Sequence, residues 1–123
     1  MKIIIDTHIF LWALSDPAKI SDNKLNQLES LANIIYVSSI TVAELMIKSS
    51  INKLEIDFDP VELAIKSGFE MLDFSGHDAL LLQNLPFHHK DPFDRMLISQ
   101  SITRKIPMMT DDTKFKLYDC QII

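Results

Sequence analysis

Cysteine is almost absent from this chain. The single Cys120 cannot form a disulfide within the chain and suits a reducing compartment such as the cytosol. Glycine is nearly as scarce: two glycines and five prolines in 123 residues leave little room for a flexible linker or a low-complexity tail. No internal repeat is visible. No apolar run approaches the roughly 20 residues that a membrane-spanning helix needs. The longest, Ile3–Ile5 and Ile9–Leu14, are separated by Asp6, Thr7 and His8. Strand-like residues begin at once, so no signal peptide is expected at the start. No membrane role is expected, and the chain reads as cytoplasmic. Basic residues are outnumbered, 12 Lys and Arg against 17 Asp and Glu, a net charge of −5. That balance lacks the basic excess of an ordinary nucleic-acid binder. It also fits an acidic metal site on an otherwise balanced surface, since setting four acids aside leaves 13 against 12.

What remains is an ordinary globular composition, 47% apolar and 24% charged, at a length that fits one domain over residues 1–123. Lys2–Asp6 reads as a buried strand. A short helix over 8–14 is stopped by Asp16-Pro17. Ser21 is placed to cap a helix bearing Leu25, Leu28 and Leu31 on one face. A second buried strand at 34–37 leads into a helix from Ser38–Thr41 to Ser49-Ser50. A helix over 60–70 and a strand over 71–74 follow. Ser75 and Asp78 form a variant capping box. Asp91-Pro92 opens an amphipathic helix through about residue 103, since proline favours the first helical position. Strands are expected at 107–110 and 120–123. Alternating strands and helices imply an α/β sandwich with a mostly parallel central sheet.

In such sheets ligands bind beyond the carboxyl ends of the strands. Asp6 ends the first strand, and Asp112 follows the 107–110 strand. Glu44 lies in the first turns of one helix and Asp94 in the first turn of another. If those helices start at the same edge, four carboxylates face one crevice. Two unit charges about 4 Å apart cost roughly 4 kcal/mol at an effective dielectric of 20. A hard divalent cation relieves that cost, and Mg²⁺ and Mn²⁺ both prefer oxygen ligands. No Cys/His spacing points to structural zinc.

Each acid also has a plainer reading. Thr41 and Glu44 fit a capping box. Asp91 reads as the N-cap of the helix holding Asp94. Asp112 fits a turn in Thr110–Thr113, and a helix N-terminus at Thr7 is able to satisfy Asp6. Arg95, Lys90, Lys114 and Lys48 are candidate phosphate contacts, the last two reading more readily as solvated surface lysines. His88-His89 read as part of the loop before Asp91, and Trp12 as core or dimer surface.

The order of these segments is where a family likeness lies. Ile3-Ile4-Ile5-Asp6-Thr7-His8, Ser38–Leu45, His89-Lys90-Asp91-Pro92-Phe93-Asp94-Arg95-Met96-Leu97-Ile98 and Thr110–Phe115 together span the chain. The chain resembles PIN-domain ribonucleases, specifically the VapC-type toxins of prokaryotic toxin–antitoxin pairs. That resemblance implies a three-layer, PIN-like α/β/α sandwich. It implies Asp6, Glu44, Asp94 and Asp112 as the acids that hold one or two Mg²⁺ or Mn²⁺ ions and cut RNA. Thr7 and Thr110 match flanking polar positions, Asp91 an outer acid, and Asp111 is a possible substitute for Asp112. Metal-assisted hydrolysis by that route leaves 5′-phosphate and 3′-hydroxyl ends. A cognate antitoxin and a homodimer are implied as well.

Rival readings are a phosphoaspartate receiver, a dehalogenase-like phosphatase and a catalytically silent PIN-fold binding module. The first expects an acidic pair at the end of the first strand, where Thr7 and His8 follow Asp6. The second expects an acid two residues after Asp6, where His8 stands. The third finds no support while all four acids are present.

Overall fold

Three consecutive isoleucines make the first strand a continuous apolar run, the pattern of a strand buried on both faces. The computed structural model, which describes residues 1–123, has all three fully buried in β1 (Lys2–Ile5). Parallel partners flank it: β2 (Ile34–Ser38) and then β3 (Glu70–Leu72) on one side, β4 (Met108–Met109) on the other. The sheet order is β3-β2-β1-β4.

Successive side chains of a strand point to opposite faces. Ile3, Ile5, Ile35 and Val37 accordingly join one core. On that face they meet Ile9 and Phe10 of α1 (Thr7–Ser15), Leu25 and Leu28 of α2 (Asp22–Glu29), and Ala64 of α4 (Pro60–Lys66). Ile4 joins the other core with Leu97 and Ile98 of α6 (Pro92–Arg104) and Phe115. Helices α3 (Ser39–Ser50) and α5 (Gly76–Leu80) complete the α/β/α layers. No helix is long and apolar enough to cross a membrane.

Four expectations need correction. Helix α2 stops at Glu29, so Leu31 lies beyond it and is fully exposed. Helix α4 stops at Lys66 rather than reaching 70, because Gly68 takes φ +86° and turns the chain into β3. The last strand shrinks to a single bridge between Met108 and Ile122. Helix α6 is not amphipathic: Arg95 and the run Leu97–Ser101 are all buried. Its polar members reach other segments. Gln100 donates to the Asp73 carbonyl at 3.2 Å, Ser101 to Ile106 at 2.6 Å, and Ser99 to the Asp78 carbonyl. Asp78, itself buried, completes the capping box with Ser75 and takes two hydrogen bonds from Arg104.

A side chain at Gly68 would meet no neighbour within 4 Å, so its backbone angle alone is at stake. Gly68→Ala is expected to lower stability by about 1 kcal/mol through the left-handed conformation, read as an earlier urea midpoint at unchanged slope. An unchanged midpoint would contradict this account of the end of α4.

Candidate active site

The acids are placed by the joints between strands and helices. Asp6 follows β1, and its backbone N–H donates to the Met109 carbonyl at the end of β4, 3.1 Å away. It is the N-cap of α1, its Oδ1 accepting from the Ile9 N–H at 2.8 Å. Its Oδ2 accepts from the Thr110 hydroxyl at 2.5 Å. Thr110 Oγ1 in turn accepts from the Asp112 N–H at 3.0 Å, so one hydroxyl ties the first acid to the last.

Asp112 caps the short 3₁₀ turn Thr113–Leu117: its Oδ1 accepts from the Lys114 N–H at 2.9 Å. Its Oδ2 lies 3.0 Å from His89 Nε2. Asp91 is the N-cap of α6, as its place before Pro92 implies, and accepts from the Phe93 and Asp94 N–H groups. That cap sets Asp94 in the first turn, where a helix N-terminus favours negative charge.

Glu44 is not part of a capping box. Ser38 caps α3, its Oγ accepting from the Ile40 N–H, which leaves Thr41 buried inside the helix, 3.2 Å from the Thr7 hydroxyl. Glu44, also buried, accepts from Thr7 Oγ1 at 2.7 Å and from Lys48 Nζ at 2.6 Å.

Asp94, Asp112 and His89 offer ligand atoms within 4.8 Å of one another. Charge links the rest to them. Asp94 holds its proton up to a pKa of about 6, because burial disfavours its carboxylate and because Asp91, Glu44 and Asp112 add negative charge around it, with His89 opposing. Asp6 is raised by burial against the opposing hydrogen bonds of Thr110 and Ile9, with Asp111 a further repelling charge. Burial works to raise Asp112 too. There the hydrogen bonds from His89 and Lys114 outweigh it and hold the carboxyl below the ordinary range. Lys48 is raised by its hydrogen bond to Glu44, with the charges of Asp91 and Asp94 behind it.

Two residues named from the sequence are engaged elsewhere. Arg95 is buried, donates to the carbonyls of Leu85 and Pro86 at 3.0 and 2.7 Å, and lies 3.9 Å over the Phe87 ring. It clamps the loop before α6 and leaves no fork for a phosphate. Asp111 is paired with Lys24, which also donates to the Thr110 carbonyl at 3.1 Å. It holds α2 to this loop, and Asp112, not Asp111, shares the cluster with Asp94. Sequence reasoning missed two contributors. His89, read as loop, is buried beside Asp112. Lys48, read as a phosphate contact or more readily as surface charge, is only part-exposed and pairs with Glu44, and its four-residue spacing from Glu44 was the available signal.

The fold that carries these acids has counterparts among known proteins. A family model described as PIN domain matches residues 3–119. The chain belongs to the PIN-domain family. No curated protein matches it in sequence. Among solved structures, VapBC2 from Rickettsia felis, bound to a promoter DNA fragment, is 26% identical over 100% of this chain and 98% of that one, with a TM-score of 0.75. DNA-bound VapBC from Salmonella typhimurium is 20% identical over 100% and 97%, TM-score 0.67. VapBC-5 from Mycobacterium tuberculosis, a member of a toxin–antitoxin family, is 20% identical over 99% and 97%, TM-score 0.57. The fold is therefore that of a VapC-type PIN domain, and PIN domains are a nuclease family.

The donor set of this PIN domain fits a hard cation. Asp94 and Asp112 supply oxygens within one ion's reach, and burial, with the neighbouring carboxylates adding to it, raises the proton affinity of Asp94. The sign of its linkage follows. A carboxyl whose folded pKa lies above its unfolded one stabilises the fold at low pH, and that contribution is lost as pH rises through about 6. In EDTA, Asp94→Asn is expected to gain on the wild type by about 1–2 kcal/mol between roughly pH 4.5 and pH 7.5, after discounting for solvent screening of a part-exposed group. Denaturant titrations at each pH measure the gap; a gap that stays constant with pH would contradict the crowding of charge around Asp94.

Proposed function

We propose that this chain is a metal-dependent endoribonuclease toxin of the VapC type, one nuclease domain spanning residues 1–123, acting in the cytoplasm. The observation that carries the reading is the pair Asp94 and Asp112, from separate segments, within reach of a single cation, with Glu44 and Asp91 near enough to Asp94 to raise its proton affinity.

Asp94 and Asp112 would hold Mg²⁺ or Mn²⁺, with Asp6 and Glu44 completing the set for one ion or two. Such an ion would lower the pKa of a water so that it is deprotonated near neutral pH, and would offset charge on the phosphate and the leaving oxygen. The chain's own contribution is orientation. Thr7 and Thr110 fix Glu44 and Asp6 by hydrogen bonds of 2.7 and 2.5 Å, and Asp91 fixes the start of α6. In-line attack by water leaves a 5′-phosphate and a 3′-hydroxyl, and uses no 2′-hydroxyl as nucleophile. Lys90 and Lys114, both exposed and close in sequence to Asp91 and Asp112, are the proposed phosphate contacts.

RNA as substrate rests on the VapC likeness. So does a cognate antitoxin: the solved relatives are VapBC complexes, two of them on DNA. A crevice this rich in carboxylates is complementary to a basic antitoxin segment. A homodimer is proposed on the same ground.

The test is cleavage of a pool of structured RNAs by the purified chain with Mn²⁺ or Mg²⁺, with EDTA, and with Asp94→Asn. Metal-dependent cuts bearing 5′-phosphates are expected, reduced by roughly 100-fold or more in Asp94→Asn, at or beyond the upper end of the loss seen for outer-shell residues. Cleavage that survives EDTA or Asp94→Asn would overturn the assignment.

A further inference from the structure

His89 sits beside Asp112 in a way that decides what it can do there. Its ring is buried, stacked on Tyr118 with centroids 5.6 Å apart and edge-on to Phe115 at 5.0 Å. Three of its polar atoms are engaged. The backbone N–H donates to Tyr118 Oη at 2.8 Å. Nδ1 lies 3.3 Å from the same hydroxyl, and Nε2 lies 3.0 Å from Asp112 Oδ2. Tyr118 Oη already accepts the backbone N–H, and its own proton has Nδ1 as an acceptor. An Nδ1 that accepts leaves the ring proton on Nε2, facing the carboxylate. The ring neighbour thus fixes the tautomer, as the outer partners of metal-site residues do.

We propose that His89, locked by Tyr118, is a positioning residue for Asp112: it donates from Nε2 to Oδ2 and aims the carboxylate at the cation, without itself being a ligand. The inference rests on the metal reading above but not on cleavage. The Asp112 carboxylate is otherwise held only by its cap to Lys114, on an exposed turn, so without His89 its Oδ2 would have no partner. The ring stands between Tyr118 and Phe115 with both nitrogens engaged.

The test is Mn²⁺ binding without RNA, read as free Mn²⁺ by electron paramagnetic resonance, on the wild type, His89→Gln, His89→Asn and Tyr118→Phe. Glutamine places its amide nitrogen where Nε2 was and keeps the donor to Asp112; asparagine reaches only the Nδ1 position and loses it. His89→Gln is expected to bind within about 3-fold of the wild type, and His89→Asn roughly 10- to 100-fold more weakly. Tyr118→Phe, close in shape, is expected to stay folded with a lowered melting temperature, because the His89 N–H loses its acceptor, and to lose several-fold in affinity; it decides the matter if His89→Asn does not fold. Equal loss in Gln and Asn would make His89 a ligand and overturn the proposal. Unchanged affinity in folded His89→Asn and Tyr118→Phe would make the contact merely structural and overturn it too. A wild-type chain that binds no Mn²⁺ overturns the metal reading itself, and the proposal with it.

Discussion

Carboxylates gathered at the carboxyl edge of a parallel sheet repel one another, and much of this structure is arranged around that repulsion. Asp6 and Glu44 are almost wholly buried, and Asp94 is partly so. Burial removes the water that would screen them, which is why Asp94 keeps its proton to about pH 6. A fold evolved for stability alone would place asparagine or an apolar residue there. These acids are kept close at a cost to the metal-free state, which is the usual signature of a functional site.

The compensations are local and legible. Asp6, Asp91 and Asp112 each give an oxygen to a helix or 3₁₀ start, where backbone N–H groups accept negative charge. Thr7 and Thr110 supply hydroxyls to Glu44 and Asp6. Lys48 lends a positive charge to Glu44, and His89 a hydrogen bond to Asp112. Arg95 stays out of the acidic cluster, directing its charge to loop carbonyls and the Phe87 ring. Neither Asp94 nor Asp112 forms a salt bridge with a lysine or arginine, an arrangement that suits a cation from solution.

The sheet, and the places of the four acids at strand ends and helix starts, were largely readable in the sequence because these are local events. Ile3–Ile5 marks a strand by itself, and Asp91-Pro92 marks a helix start by itself. What escaped was set by distant chain. Nothing in His88-His89 tells which ring is buried; Tyr118, 29 residues on, decides it. Arg95 looks like a phosphate contact until the loop 85–87 folds back on it. The polar face expected of α6 is buried because Asp73, Asp78 and Ile106 offer carbonyls to it. The Thr41–Glu44 capping box dissolved because Ser38, three residues earlier, took the cap.

The central claim is that these acids await a cation, and proton release tests it most directly. At about pH 6 Asp94 is roughly half protonated in the metal-free chain. Calorimetric Mn²⁺ titration in buffers of differing ionisation enthalpy counts the protons displaced. The account predicts saturable binding that releases protons at that pH, about half of one from Asp94, and fewer at about pH 8. Binding without proton release at either pH, or no saturable binding, would contradict it.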